Sequence, residues 1–280
     1  MLVNLVSMLG EAQKGNFAIG SFNIYSYETI RGVMNAAVEL DKPAIVAFGA
    51  NYLKNMDLGS VHDIVVNLSK SCSNPVALHL DHCKSIDTIR EALAAGFTSI
   101  MYDGSALPYE ENVKNTAEVV RMAHAAGASV EAELGSIKAG QDTNEEDAAE
   151  IYTDPAVARD FVERTGVDCL AVSIGTVHGL YKGTPRISID TLKAIKQEVS
   201  VPLVLHGGSG TPEATIRECI ENGICKINVN TEISVYTVDM LAAKLSAEGK
   251  KPHLSQLCLA EVEAVSEVVK KYMRFFANEA

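Results

Sequence analysis

Eight short apolar runs alternate along this chain with stretches whose apolar residues recur at helical spacing. The runs are Ala18–Phe22, Ala44–Phe48, Val76–Leu80, Ser99–Tyr102, Ser129–Glu133, Cys169–Ser173, Leu203–Leu205 and Lys226–Val229. The helical patterns are Tyr27–Glu39, Val61–Ser71, Ser85–Ala95, Tyr109–Ala126, Pro155–Thr165, Ser188–Glu198 and Pro212–Asn222, with a last one at Leu259–Phe275. Gly96, Gly127, Gly166 and Gly223 follow helices, where left-handed caps are expected. Pro43, Pro75 and Pro202 come just before strands, where a helix has already ended. This rhythm predicts an α/β chain folded as one (β/α)8 barrel over residues 1–280. A doubly wound open sheet would spread its polar strand ends along a crevice instead. No internal repeat or linker divides the chain.

The polar residues ending these runs predict a single mouth. Active sites in a barrel lie at the C-terminal ends of its strands. Those ends carry Asn23, Asp81 with His82, Asp103, Glu133, His178, His206 and Asn228. His82, His178 and His206 are the candidate metal ligands. Three neutral imidazoles leave one tetrahedral position open on a zinc ion, the design of a catalytic site. Asp81 can bind metal, orient a histidine or exchange a proton. Asp103 and Glu133 can hold a second cation through oxygen ligands, or can hydrogen-bond buried loops. His79 shares the face of Asp81 by parity and can support the ligands from behind.

Gly207-Gly208-Ser209-Gly210 precedes Thr211-Pro212-Glu213, an expected N-cap, first helical position and first-turn acid. Backbone N–H groups and a helix dipole can hold a phosphate there. The G-K-[ST] ending of a Walker loop is absent. Asn228-Val229-Asn230-Thr231 adds donors at the next strand end, and Lys182 can add a cation. Gly135–Ile151 is long, polar and acidic, without strand or clean helix signals. It is expected to be a mobile loop, either a lid or a solvated surface segment.

Composition narrows the class. The chain has 280 residues, 47% hydrophobic and 21% charged, with a formal net charge of -12. That acidity argues against nucleic-acid partners. No run reaches the roughly 18 apolar residues of a membrane span. The first residues lack the basic and apolar regions of a signal peptide. Six cysteines, none in a C-x-x-C pair, suit reduced core thiols in a cytoplasmic protein.

Five segments together resemble one family. They are Ala77-Leu78-His79-Leu80-Asp81-His82, Glu131-Ala132-Glu133-Leu134-Gly135, Gly175-Thr176-Val177-His178-Gly179-Leu180-Tyr181-Lys182-Gly183, Leu203-Val204-Leu205-His206-Gly207-Gly208-Ser209-Gly210 and Lys226-Ile227-Asn228-Val229-Asn230-Thr231-Glu232. In order and spacing they resemble the class II, zinc-dependent ketose-bisphosphate aldolases of the fructose and tagatose type. The resemblance implies a homodimer or homotetramer. It also implies reversible cleavage of a ketose 1-phosphate into dihydroxyacetone phosphate and an aldehyde. By the same resemblance Asp81 is the proton donor and acceptor at the C4 oxygen, and His82, His178 and His206 hold Zn2+. Gly179, Gly207, Gly208, Ser209, Asn228, Val229, Asn230 and Thr231 contact dihydroxyacetone phosphate. Asn23 lines the site, and Asp103 and Glu133 match positions holding a second metal or a monovalent cation in some members.

Three positions depart from the family pattern. The loop glutamate that moves the C3 proton is matched by Asp142, with Glu145 and Glu146 nearby. The serine after the second strand that meets the distal phosphate is matched by Gly49. The arginine of the final helix that assists it is matched by Val262. Losing a hydroxyl and a guanidinium removes much of a phosphate clamp, so the aldehyde partner is expected not to be a simple 3-phosphate. Rival readings are a Schiff-base aldolase, a zinc hydrolase and a non-catalytic sugar-phosphate-binding protein. The first needs a lysine at a strand's C-terminal end, whereas Lys226 opens its strand and is expected at the wrong end. The second lacks its usual His-x-His on the first strand. The third would tolerate loss of Asp81 or a ligand, yet all are present.

Overall fold

The computed structural model describes residues 2–135, 152–176, 187–246 and 251–278. Eight parallel strands close into a barrel in sequence order: β1 (Ile19–Asn23), β2 (Ala44–Gly49), β3 (Val76–Cys83), β4 (Ser99–Tyr102), β5 (Ser129–Leu134), β6 (Cys169–Val172), β7 (Leu203–Leu205) and β8 (Ile224–Val229). β8 returns to pair with β1, Ile19 opposite Lys226 and Phe22 opposite Val229. The ten α-helices among the described residues are α1 (Leu5–Gly15), α2 (Tyr27–Leu40), α3 (Leu58–Ser69), α4 (Ile86–Ala95), α5 (Tyr109–Ala125), α6 (Pro155–Thr165), α7 (Ile189–Glu198), α8 (Glu213–Glu221), α9 (Thr231–Ser246) and α10 (Leu254–Phe276). The (β/α)8 barrel expected from the strand–helix rhythm is the fold observed.

Local chemistry places the helix ends. Ser26, Asp57, Ser85, Asp154 and Ser188 each accept a first-turn backbone N–H, as N-caps do. Gly96, Gly127, Gly166 and Gly223 all take positive φ, as expected. One cap differs from expectation. α8 begins at Glu213 with Pro212 as its cap, while Thr211 turns its hydroxyl back to the Gly207 carbonyl.

Two apolar layers hold the barrel. The larger lies between strands and helices and includes Phe22, Phe48, Leu78, Leu170, Ile227 and Val229, with Phe161 and Val265 from the helices. The smaller plugs the N-terminal end of the bore. There α1 presses Leu5, Met8, Leu9 and Ala12 against Ile19, Ile45, Ala77, Cys169, Ala171, Val204 and Cys225. Neither α1 nor α9 is among the helices expected from sequence. α10 starts five residues earlier than expected and packs across α2. A Cβ on Gly32 would meet Val265 at 2.6 Å and the Val262 carbonyl at 3.0 Å, so only glycine permits that crossing. The end of α10 also docks on the root of β1, where Ala18 N donates to the Phe276 carbonyl at 3.0 Å.

Candidate active site

Strand parity delivers the polar residues. On β3, Ala77, His79 and Asp81 point into the bore in turn. On β5, Ser129, Glu131 and Glu133 do the same. His82, next to Asp81, would by parity face the helices. A register break between Leu80 and Cys83 on the β4 side, with His82 at φ 48°, turns the ring to the mouth instead. A left-handed histidine costs on the order of 1–3 kcal/mol. That strain buys two neighbouring side chains on one rim.

Asp81 is held from both sides. Asn23 Nδ2 donates to its Oδ2 at 2.9 Å, and Asn228 Nδ2 donates to its Oδ1 at 3.1 Å. Burial opposes ionisation of this carboxyl. The electrostatic pull of the neighbouring His82 and Lys226 outweighs it and holds Asp81 well below the usual carboxylate range.

Beside Asp81 lies a group of metal-ligand type. His82, Glu133 and His206 each offer a donor atom, all within 4.8 Å of one another. The two imidazoles meet edge to face at 4.6 Å. Glu133 Oε2 lies 3.4 Å from His206 Nδ1 and 4.0 Å from His82 Nδ1. This Oε2 is buried with no hydrogen-bond partner among the described residues. Two imidazoles and a carboxylate with a buried oxygen to satisfy fit a divalent cation such as zinc. Glu131 accepts from His206 Nε2 at 2.8 Å, so Nε2 carries a proton and Nδ1 faces the cluster. Burial would lower the His206 imidazole, but Glu131 and Glu133 lift it to about 9. Cation binding there therefore releases a proton.

Glu133 was expected, with Asp103, to serve a separate cation; it lies in the histidine cluster itself. Asp103 Oδ2 is 3.6 Å from His82 Nδ1 and 3.8 Å from Lys84 Nζ, and its Oδ1 accepts from Ser105. His178, Gly179, Lys182 and Asp142, with Glu145 and Glu146, lie outside the described residues.

A pocket at the mouth is lined by Asn23, Asp81, His82, Gly207, Ser209, Asn228, Asn230 and Thr231. Gly207 has φ 69°, and a Cβ on Gly208 would strike Ile227 Cγ2 at 2.7 Å, so the double glycine is what lets this loop lie against β8. The loop leads into α8, and Thr231 opens α9, so two helix N-termini approach the rim after β7 and β8. Of the expected contacts among the described residues, Gly208 and Val229 do not line this pocket. The Val229 side chain is fully buried in the outer layer.

Four residues given no place in the site by sequence reasoning, Lys226 among them as a lysine expected at the wrong end, shape it. Glu131 and Lys226 form a fully buried ion pair at 2.9 Å below the mouth. The wrong-end expectation for Lys226 is corrected here: β8 opens at Ile224, and the side chain crosses the bore. Its ammonium is spent on Glu131 and on Asn228 Oδ1 at 2.6 Å. At 0% exposure it cannot form a Schiff base with a substrate. Above the site, Tyr25 and Tyr52 meet edge to face at 4.7 Å, and both hydroxyls bond Asn230. Burial, then Tyr52, pushes the Tyr25 phenol up, so it stays protonated. A Cβ on Gly49 would meet the Tyr52 ring at 3.0 Å.

A sequence model of the family described as fructose-bisphosphate aldolase class-II matches residues 3–280. Among solved structures, the YdjI aldolase from Escherichia coli K12 is similar at 34% identity with a TM-score of 0.89, over 100% of this chain and 99% of that one. A putative fructose-1,6-biphosphate aldolase from Coccidioides immitis is similar at 29% identity and 0.87, over 97% and 95%. Fructose-bisphosphate aldolase (Fba) from Campylobacter jejuni, at 24% identity and 0.81 over 98% and 95%, shares the fold. Family pattern and structural likeness thus agree from one end of the barrel to the other, and the chain belongs to the class-II fructose-bisphosphate aldolases: it is an aldolase, and therefore a lyase.

Proposed function

We propose that this enzyme reversibly cleaves a ketose 1-phosphate, or a ketose 1,6-bisphosphate of the fructose or tagatose type, to dihydroxyacetone phosphate and an aldehyde. The observation that carries the reading is the placement of Asp81, fixed by two amides, beside the His82–Glu133–His206 cluster at one mouth. His82 and His206 would hold Zn2+ together with His178, with Glu133 within reach; Asp103 and Glu133 would serve a second metal or a monovalent cation. When bound, the cation supplies Lewis acidity toward the oxygens of the reacting carbons. Asp81 moves the proton at the C4 oxygen. The Asn23 and Asn228 amides keep its carboxylate aimed into the pocket. Gly207, Gly208, Ser209, Asn230 and Thr231 take the phosphate of the retained half, as the loops after strands seven and eight do in this fold. Asp142 moves the C3 proton, with Gly179 and Lys182 adding contacts.

The aldehyde half is read differently. Gly49 offers no hydroxyl, and Tyr52 fills the space a side chain there would need. Val262 is buried on α10 with its backbone against Gly32, and its apolar side chain offers no charge to a phosphate. Two phenol hydroxyls stand above the site, and this supports an uncharged, hydroxylated aldehyde over a 3-phosphate. All described cysteines are free, and this supports action in the cytoplasm; among the described residues no helix is long and apolar enough to cross a membrane. Apolar side chains left exposed on α9, Val235, Val238, Met240 and Leu245, support a homo-oligomer.

Release of dihydroxyacetone phosphate, abolished by a chelator and restored by Zn2+, is the test. Chelator-insensitive release, or binding of sugar phosphate without turnover, would overturn the reading. The loop carboxylates are separated by Asp142→Ala, Glu145→Ala and Glu146→Ala, with C3 proton exchange of dihydroxyacetone phosphate as readout. Parent rates in all three would exclude a base among these carboxylates.

A further inference from the structure

We infer that Lys226 is a positioning residue for the aldol reaction: by holding Oδ1 of Asn228 it turns that amide's donor end to Asp81. This rests on the reading of Asp81 as the group that moves the substrate proton. An ammonium only donates, so the end of Asn228 facing Lys226 must be its oxygen. The 2.6 Å contact from Lys226 Nζ fixes that end, and Nδ2 is then left facing Asp81 Oδ1 at 3.1 Å. Released from Lys226, the amide keeps only one of its two restraints, the Asp81 carboxylate, which disfavours the flip that would set oxygen against oxygen; its oxygen end is then free to swing out of line.

The ion pair spans the bore between strands that are not neighbours, Glu131 on β5 and Lys226 on β8. Both residues are 0% exposed. Apolar side chains of similar volume generally stabilise such a place as well or better, so stability alone gives no reason for charges there. What the charges do instead is orient. Glu131 takes the Nε2 proton of His206 and Lys226 takes the Asn228 oxygen, so one buried pair sets a group on each side of the pocket.

The test compares two neutral pairs, because Lys226→Met alone strands a buried carboxylate. Lys226→Met/Glu131→Gln removes the donor to Asn228. Lys226→Gln/Glu131→Gln keeps one. Melting temperature and circular dichroism establish that each is folded. The Gln/Gln enzyme should turn over about tenfold faster than the Met/Gln enzyme, the worth of one oriented hydrogen bond, with KM nearly equal. Adding Asn228→Ala should erase that difference. Equal kcat in the two pairs, or a difference that survives Asn228→Ala, overturns the inference. Should Met/Gln not fold, Asn228→Ala is measured in the Gln/Gln and parent backgrounds. It should cost the same factor in both, and a cost absent from Gln/Gln overturns the inference. Asp81→Ala, measured alongside, tests the underlying reading on its own. Undiminished kcat there would refute the role of Asp81 while the Lys226–Asn228 coupling still stood or fell by its own numbers.

Discussion

The two ends of the bore are built from the same strands and have opposite chemistry. At the N-terminal end, Ala77 of β3, Val204 of β7 and Cys169 of β6 meet the apolar face of α1. Two or four residues further along, the same strands present His79 and Asp81, then His206, then Ser173. The lower end is closed by side chains that only need to fit. The upper end holds charges that only function can justify. A middle layer of His79, Glu131 and Lys226 joins them. Burial, then Lys226, pushes the His79 imidazole down to about 4, so that ring is neutral while its Nδ1 bonds Ser99. The difference teaches that stability and catalysis in this barrel are separable by depth.

Substitutions at the two ends should therefore fail in different ways. The largest loss is expected from His206→Ala, which should empty the cluster of metal and bring activity to the detection limit while Tm changes modestly. Full metal retention by elemental analysis would refute the cluster. Asp81→Ala should come next, with kcat down by about 10²–10⁴-fold and metal retained; a change confined to KM would mean that Asp81 only binds. At the other end, Leu9→Ala should cost about 2–5 kcal/mol of stability by denaturant titration, yet leave kcat as in the parent. A matching fall in kcat would show the ends to be coupled. The smallest effect concerns the aldehyde half. Without a distal clamp, kcat/KM for fructose or tagatose 1,6-bisphosphate should lie within about tenfold of the ketose 1-phosphates. A preference of a hundredfold or more would show that Gly49 and Val262 mislead.

Much of this was legible in residue order, and the failures have causes. Strands were readable because both faces of a parallel sheet are apolar, and helix ends because serine, aspartate and glycine do specific work there. α1 also carries the helical spacing Leu5, Met8, Leu9, Ala12, so its signal was present. α9 has apolar residues on every side, Val235, Val238 and Met240 among them, and so shows no stripe to find. The site's oxygen and nitrogen donors were visible as strand-end residues. Hidden was the way Asp81 and His82 share a rim, since alternation forbids it and only a backbone irregularity allows it. Glu131 and Lys226 each share parity with a site residue two positions on, Glu133 and Asn228. That parity signal was available, but an isolated charge in an apolar run does not say which charge across the bore will meet it.

The crossing of α10 over α2, and its hydrogen bond from Ala18 to Phe276, carry a consequence for synthesis on the ribosome. The root of the first strand is secured by a helix made only after all eight strands. Contacts this distant in sequence form slowly, since loop closure must precede them. Closure at the root of β1 is thus a late event in folding, and a nascent chain lacking α10 presents the apolar face of α2 uncovered to its surroundings.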